Sequence, residues 1–420
     1  MLIGLRRGSS LLLPMMTGVF TRLVGQQAVE AELLAAARSA RGAAEGDQSH
    51  AGAGLGTMTH AWLITGPPGS GRSVAALCFA AALQCTSEGE PGCGTCRACS
   101  TTMAGTHADV RRVIPEGLSI GVDEMRGIVQ VASRRPTTGR HQIVVIEDAD
   151  RLTEGAANAL LKVVEEPPPS TVFLLCAPSV DPEDIAVTLR SRCRHVALVT
   201  PPTEAIAQVL IDGDGLDAGT AGWAASVSGG HVGRARRLAT DPEARQRREQ
   251  ALELVRDAAR PARAYTAAEE LVAAAEAEAV ALTAGRAEAE TEELRTALGA
   301  GGTGKGAAGA MRGAAGAIKD LERRQKSRQT RASRDALDRA LIDLATYFRD
   351  ALVVSANAGQ VRANHPDMAE RVASLAGHAT PERLLRCIEA VLECREALAI
   401  NVKPKFAVDA MVATIGQQLR

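Results

Sequence analysis

Between Phe20 and Leu34, apolar side chains recur at Val24, Val29, Leu33 and Leu34 with alanine between them, a spacing that predicts a helix with one buried face. A soft linker is expected from Gly42 to Gly56. The period then changes. Trp62-Leu63-Ile64 predicts a buried strand, residues 66–71 a Gly/Pro turn, and Ser73 to Gln84 a helix. Strand-like runs recur at Val110–Ile114, Ile143–Ile146, Val172–Cys176 and His195–Val199. Helical stretches separate them at Val122–Arg134, Glu154–Glu165 and, more briefly, near Asp184–Leu189. Strands alternating with helices imply an α/β domain built on a doubly wound, mostly parallel sheet.

Pro201-Pro202 ends this alternation and opens a small helical region to about Thr240, with a turn at Ser228-Gly229-Gly230-His231. From Asp241 to Arg420 the pattern is helical throughout, with Gly-rich Gly299–Gly316 and basic Lys319–Arg334 expected to interrupt it. The boundaries so read are 18–200 for the α/β domain, 201–240 for a lid and 241–420 for an all-helical domain. Residues 1–17 are expected to be a leader or a mis-annotated start, with Met15 or Met16 as the initiator.

Composition narrows the function classes. A formal net charge of -1 leaves no global basic footprint for nucleic acid, and 2% aromatic residues argue against base-stacking platforms. Any DNA contact is therefore expected to be local or shared with partners. No apolar run reaches the ~20 residues that span a bilayer, so no membrane partner is expected and a cytoplasmic location is. Four of the nine cysteines fall between Cys85 and Cys99, a clustering that favours metal over disulfides in a cytosolic protein.

Gly66-Pro67-Pro68-Gly69-Ser70-Gly71-Arg72-Ser73 fits the phosphate-binding loop pattern at every position but one. Its glycines let backbone N–H groups converge on phosphates at a helix N-terminus. Arg72 stands where a lysine normally reaches the phosphates, and a planar guanidinium does not replace a compact ammonium. The strand Ile143–Ile146 ends in Glu147-Asp148, either relics of a magnesium and water site or solvated charges at a strand end. Cys85, Cys93, Cys96 and Cys99, spaced C-x7-C-x2-C-x2-C, suit a closed tetrahedral zinc site with a structural role. Ser191-Arg192-Cys193 reads, on residues alone, as surface decoration. Gly299 to Gly306 imitates a second phosphate loop, but no strand precedes it and Gly306 lacks a hydroxyl for magnesium, so a flexible loop is expected. The basic stretch Lys319–Arg334 either touches DNA phosphates or forms a solvated helix face.

Together the stretches Phe20–Gln27, His60–Ser73, the cysteine module, Ile143–Asp150, Ala156–Pro169 and Ser191-Arg192-Cys193 resemble the AAA+ clamp-loader family of bacterial DNA polymerase III, and within it the delta-prime type. The resemblance covers residues 20 to 240, with a loose match at Asn401 and Lys405, and leaves about 261–330 as an insertion. It implies an AAA+ P-loop domain, a helical lid and an all-α collar that oligomerises. Motor subunits of the family carry a loop lysine, Asp-Glu after the strand, a polar sensor and a lid arginine. This chain has Arg72, Glu147-Asp148, Cys176-Ala177 and Gly233, with Arg234 one position on. The resemblance thus implies a non-motor subunit with a degenerate site at Gly66, Gly69, Gly71, Arg72, Ser73, Glu147 and Asp148, and little or no ATPase of its own. It further implies that Arg192 reaches the ATP of a neighbouring motor subunit. Its implied partners are gamma/tau and delta subunits, with the sliding clamp and primer-template DNA met through the complex. An active ATPase motor of the same loader and a zinc-dependent DNA-binding protein are the alternatives.

Overall fold

The computed structural model describes residues 18–44, 58–298 and 307–420. The expected leader and the imitation phosphate loop at Gly299 to Gly306 lie outside the described residues. The chain forms two compact units. The first comprises the residues up to Ile114 with Val122–Asp150 and Glu154–Val199, and the second comprises Pro115–Gly121, Arg151–Thr153 and Thr200–Arg420.

In the first unit a short 3-10 turn at Val19–Arg22 precedes α1 (Gln27–Ala44), β1 (Ala61–Thr65), α2 (Arg72–Gln84) and α3 (Arg97–Met103). Then follow β2 (Val110–Val113), α4 (Val122–Ala132), β3 (Gln142–Ile146), α5 (Glu154–Glu165), β4 (Thr171–Ala177), α6 (Val187–Arg190) and β5 (Arg194–Ala197). The strands pair in parallel in the order β2-β3-β4-β1-β5. Every residue of β1, β3 and β4 is buried, as a parallel sheet covered on both faces requires. Alternation sorts them: Trp62, Ile64, Ile143, Val145, Leu174 and Cys176 join a core with α1 and α2. The intervening Leu63, Val144, Phe173 and Leu175 are buried as well, on the opposite face. The expected α/β fold with a doubly wound parallel sheet is the one observed.

Local boundaries differ from expectation in several places: the helix expected from Phe20 begins only at Gln27, after the 3-10 turn at Val19–Arg22. Gly42 belongs to α1, because strong helix formers, Arg41 before it and Ala43-Ala44 after it, sustain the helix to Ala44. The helix near Asp184 begins only at Val187, since Ser179 Oγ donates to Asp184 at 2.6 Å and Glu183 N–H to Asp181 at 3.1 Å, shaping a turn there. The last strand ends at Ala197, and Val199 hydrogen-bonds the side chain of Gln26 rather than a neighbouring strand.

The second unit is helical: α7 (Thr203–Asp214), α8 (Ala218–Val227), α9 (Val232–Thr240), α10 (Pro242–Ala258), α11 (Pro261–Ala297), α12 (Ala307–Ser355), α13 (Ala369–His378), α14 (Pro381–Ala399) and α15 (Pro404–Leu419). The first three share a small core around Ile206, Leu210, Ala224 and Leu238. A larger core joins Leu254, Leu271, Leu337, Leu344, Phe348, Val391 and Val412. Proline opens α10, α11, α14 and α15, where its missing N–H costs nothing. The basic stretch Lys319–Arg334 does not interrupt the helical pattern as expected; it lies inside the unbroken α12. Its charges sustain the helix because opposite charges meet them: Arg328 pairs with Glu290 of α11, and Gln325 donates to Ala287 O at 3.0 Å. Among the described residues no helix is long and apolar enough to cross a membrane.

Candidate functional site

The turn between β1 and α2 is shaped by its glycines. Gly69 and Gly71 adopt φ of 86° and 97°, the left-handed region that side chains avoid. A Cβ at Gly66 would lie 2.5 Å from Ser70 Oγ and 2.9 Å from Leu198 O. Gln26 ties the loop to the end of the sheet: its amide nitrogen donates to Val199 O at 2.5 Å and Ser70 O at 3.3 Å, while its oxygen accepts from Val199 N–H at 3.2 Å. Arg72 is the first residue of α2, whose first-turn amides have no intrahelical acceptors. Ser70 Oγ and Arg72 Nη1 are buried without a hydrogen-bond partner. Such orphaned donors fit a phosphate group, so Gly66, Gly69, Gly71, Arg72 and Ser73 could hold one through backbone amides and the guanidinium.

The carboxylates of the site are less suitable for catalysis. Glu147 accepts from Arg112 Nε at 3.0 Å and Nη2 at 2.7 Å, so it is held by β2. Asp148 follows with φ of 56°, a left-handed conformation that turns the chain away from strand geometry. At the end of β4, where a polar sensor would sit, Cys176 is fully buried; burial first, then the nearby Glu147, pushes its thiol pKa up.

The four cysteines converge from three local elements. Cys85 caps the C-terminus of α2, Cys93 lies in the loop, Cys96 is the N-cap of α3 and Cys99 is in its first turn. Gly92 and Gly94, at φ of 85° and 79°, make the loop tight enough to return Cys93 to α2. The four Sγ atoms all lie within 4.8 Å of one another. Thiolates 2.3 Å from a tetrahedral zinc would be separated by about 3.8 Å, so the cluster fits the ion with small closure. Cys96 N–H donates to Cys93 Sγ at 3.3 Å and Cys99 N–H to Cys96 Sγ at 3.4 Å, the donors that stabilise thiolates. Burial alone would raise the pKa of Cys96, but N–H donors from Cys99 and Thr86 outweigh it and bring it down to about 6. The set leaves no open catalytic position.

Arg192 follows α6. Its side chain is 39% exposed, yet it is fixed: Nη2 pairs with Glu165 at 2.6 Å, and Nη1 donates to Thr188 O at 3.0 Å. Arg234 is used otherwise: it pairs with Asp343 of α12 at 2.5 Å, with both side chains largely buried. Residue patterns single out neither Gln26, Arg112 nor Glu165 for a role. Glu165-Glu166-Pro167 and Phe20–Gln27 carry part of the family resemblance, but the pairings themselves span 27 to 173 positions and have no local signature.

Residues 50–202 match the family described as DNA polymerase III, delta subunit, and residues 332–403 the family described as DNA polymerase III, delta subunit, C terminal. The Escherichia coli (strain K12) DNA polymerase III subunit delta-prime is 39% identical over 148 residues, 34% of this chain and 44% of that protein. The Bacillus subtilis (strain 168) subunit delta-prime is 32% identical over 157 residues, 37% of this chain and 47% of that one. The chain thus spans less than half the length of these curated relatives. A solved gamma subunit-related protein of Thermotoga maritima aligns at TM-score 0.37 and 17% identity, over 86% of this chain and 94% of that one. The glycine turn after β1, the cysteine module and the Ser-Arg-Cys corner all lie within the matched stretch 50–202, the part of the chain that is similar to DNA polymerase III delta-prime subunits.

Proposed function

We propose that this chain is a non-motor subunit of the DNA polymerase III clamp loader. It assembles with gamma/tau and delta subunits, helps place the sliding clamp on primer-template DNA through the complex, and supplies Arg192 in trans to a neighbouring ATPase site. The observation that carries this reading is the preset arginine. An exposed guanidinium anchored by Glu165 and Thr188 O has lost much of its rotamer freedom yet keeps donors for a further anion. A transferring phosphoryl group spreads charge over its oxygens, and an arginine from a neighbouring chain stabilises that charge by ~10³–10⁵ in rate. The chain's own nucleotide site supports the same division of labour, with Arg72 in the lysine position and Glu147 tied to Arg112. The cysteine cluster is a structural zinc site, and its chemistry in the folded chain is to hold the α2–α3 loop.

The reconstituted complex carrying Arg192→Ala tests the proposal. Assembly should be unchanged, while clamp- and DNA-stimulated ATPase falls at least several-fold and Arg192→Lys recovers little of it, since lysine lacks the planar fork. A complex that assembles, hydrolyses ATP and loads clamps at the unmutated rate would return Arg192 to surface decoration.

A further inference from the structure

In the helical unit, α9, α10, α11 and α12 enclose a cavity of about 230 Å³ that the nucleotide and zinc sites do not use. Its wall carries Arg234 and Arg237 from α9, Arg247 and Arg248 from α10, and Arg339 from α12. The carboxylates on it are Glu278 and Asp343. Asp343 is taken by Arg234. Glu278 alone faces three guanidiniums: Arg237 at 2.5 Å, Arg339 at 2.9 Å, and Arg247 Nε at 3.6 Å, too long for a hydrogen bond. Asp241, Glu243 and Asp367 also pair with these arginines but are not part of the wall.

Five guanidiniums line the cavity; its wall offers them two carboxylates, and Asp241, Glu243, Asp367 and His365 Nδ1 meet them from outside it. Two donor atoms are still left without acceptors. Arg248 is 6% exposed, and its Nε, like that of Arg247, is buried without a hydrogen-bond partner. Buried charged donors without acceptors raise the free energy of the fold, and an anion entering the cavity removes that penalty. Planar guanidiniums match phosphate oxygens in paired hydrogen bonds better than they match most anions.

We propose that this cavity binds a small polyphosphate, a chain of two or three phosphoryl groups, either free or as the tail of a nucleotide. One phosphate would meet only part of the arginine set, whereas a short chain can span it. The cavity is below the ~300 Å³ at which pockets begin to enclose drug-sized ligands, so any attached nucleoside would remain in its mouth. The proposal uses no residue of the phosphate loop or of Arg192, and stands apart from the clamp-loader reading.

Calorimetry of the full chain with inorganic tripolyphosphate at physiological salt tests it, in an Arg72→Ala background that weakens the phosphate loop. Saturable binding and a raised melting temperature are expected, because a ligand that binds only the folded state stabilises it. Arg247→Gln and Arg339→Gln should each weaken binding at least tenfold. Glu278→Gln should tighten it by removing the competing carboxylate, a gain that no misfolded variant could mimic. Displacement of tripolyphosphate by ATP would assign the site to a nucleotide tail, and failure to displace it would assign the site to free polyphosphate; either result upholds the cavity. Absence of binding, equal binding by the arginine variants, or equal stabilisation by sulfate at matched ionic strength would overturn it.

Discussion

Cys96 joins two roles in one side chain, a helix cap and a candidate metal ligand. Its Sγ accepts Cys99 N–H at 3.4 Å as the N-cap of α3 and lies 4.0 Å from Cys85 Sγ within the cluster. Removing it takes away one of four thiolates and the cap together, and structural zinc contributes folding free energy directly. We expect elemental analysis to find about one zinc per wild-type chain, with Cys96→Ala losing most of it and melting at lower temperature. Material purified without chelator that contained no zinc would remove this expectation. Asp109 was not legible as a special residue, since a lone aspartate before a strand resembles any loop acid. In the fold it is 1% exposed and accepts from the N–H and hydroxyl of Thr137, the N–H and hydroxyl of Thr138, and Gly139 N–H, all at 2.7–2.8 Å. Burial alone would raise its pKa, but these donors outweigh burial and hold the carboxyl far below the usual carboxylate range. A depressed folded-state pKa means stability that is present above the unfolded value of about 3.9 and is lost as pH falls below it. Asp109→Asn should cost ~2–4 kcal/mol at pH 7, because its NH₂ would face donors, and the gap to wild type in urea denaturation should narrow below about pH 4. A gap that did not change with pH would show that the carboxylate's charge is not what stabilises this loop.

Elements were legible where one local rule dominated. The strands announced themselves because a sheet buried on both faces needs continuous apolar runs, and Trp62–Ile64, Ile143–Ile146 and Val172–Cys176 supply them. The glycine turn between β1 and α2 and the clustering of the four cysteines were readable because their residues lie within a few positions of one another. Helix α12 was misread as broken, since glycine and clustered charge suggest a loop when read locally, whereas the partner charges are on α11. That hairpin divides into parts of unequal weight. Ala264, Ala268, Leu271 and Ala275 of α11 and Leu337, Leu341, Leu344 and Phe348 of α12 enter the helical core, while the described residues farther along, 281–298 and 315–324, are mostly exposed apart from residues such as Leu321. Gln325 reaches Ala287 O at 3.0 Å and Thr291 at 3.2 Å, so the two helices are adjacent at that level. Replacing residues 292–324 with a short Gly/Ser turn should therefore leave the collar core folded, with a melting temperature within about 5 °C of wild type, since loop closure changes stability by little. Scanning calorimetry would check this, and loss of the cooperative transition would mean that the distal hairpin is part of the core.

At the scale of the whole molecule the sequence is least explicit, because activity in this reading is divided between chains. A net charge of -1 and scarce aromatics argue against a broad nucleic-acid surface, but they do not say which neighbour completes which site. Under the proposed function, the residues expected to keep this chain from hydrolysing ATP alone are in its own candidate phosphate site. Phosphoryl transfer depends on charges positioned around the γ-phosphate and on a carboxylate that orients the attacking water. Here the cation is Arg72, with Nη1 buried and unpartnered, and Glu147 is fixed to Arg112 at 2.7 Å, so water orientation is compromised independently of the loop. These two defects make different predictions when repaired singly. If the arginine were the whole impairment, Arg72→Lys would restore turnover. With Glu147 occupied, Arg72→Lys should strengthen ATP binding at most and leave hydrolysis by the isolated chain at background, the level also expected of wild type. Steady-state phosphate release by the purified chain, with and without magnesium, measures this directly. Turnover by the wild-type chain that Arg72→Ala abolished would instead favour an active motor, and the role proposed for Arg192 would then have to be tested in a ring with one more working ATPase site.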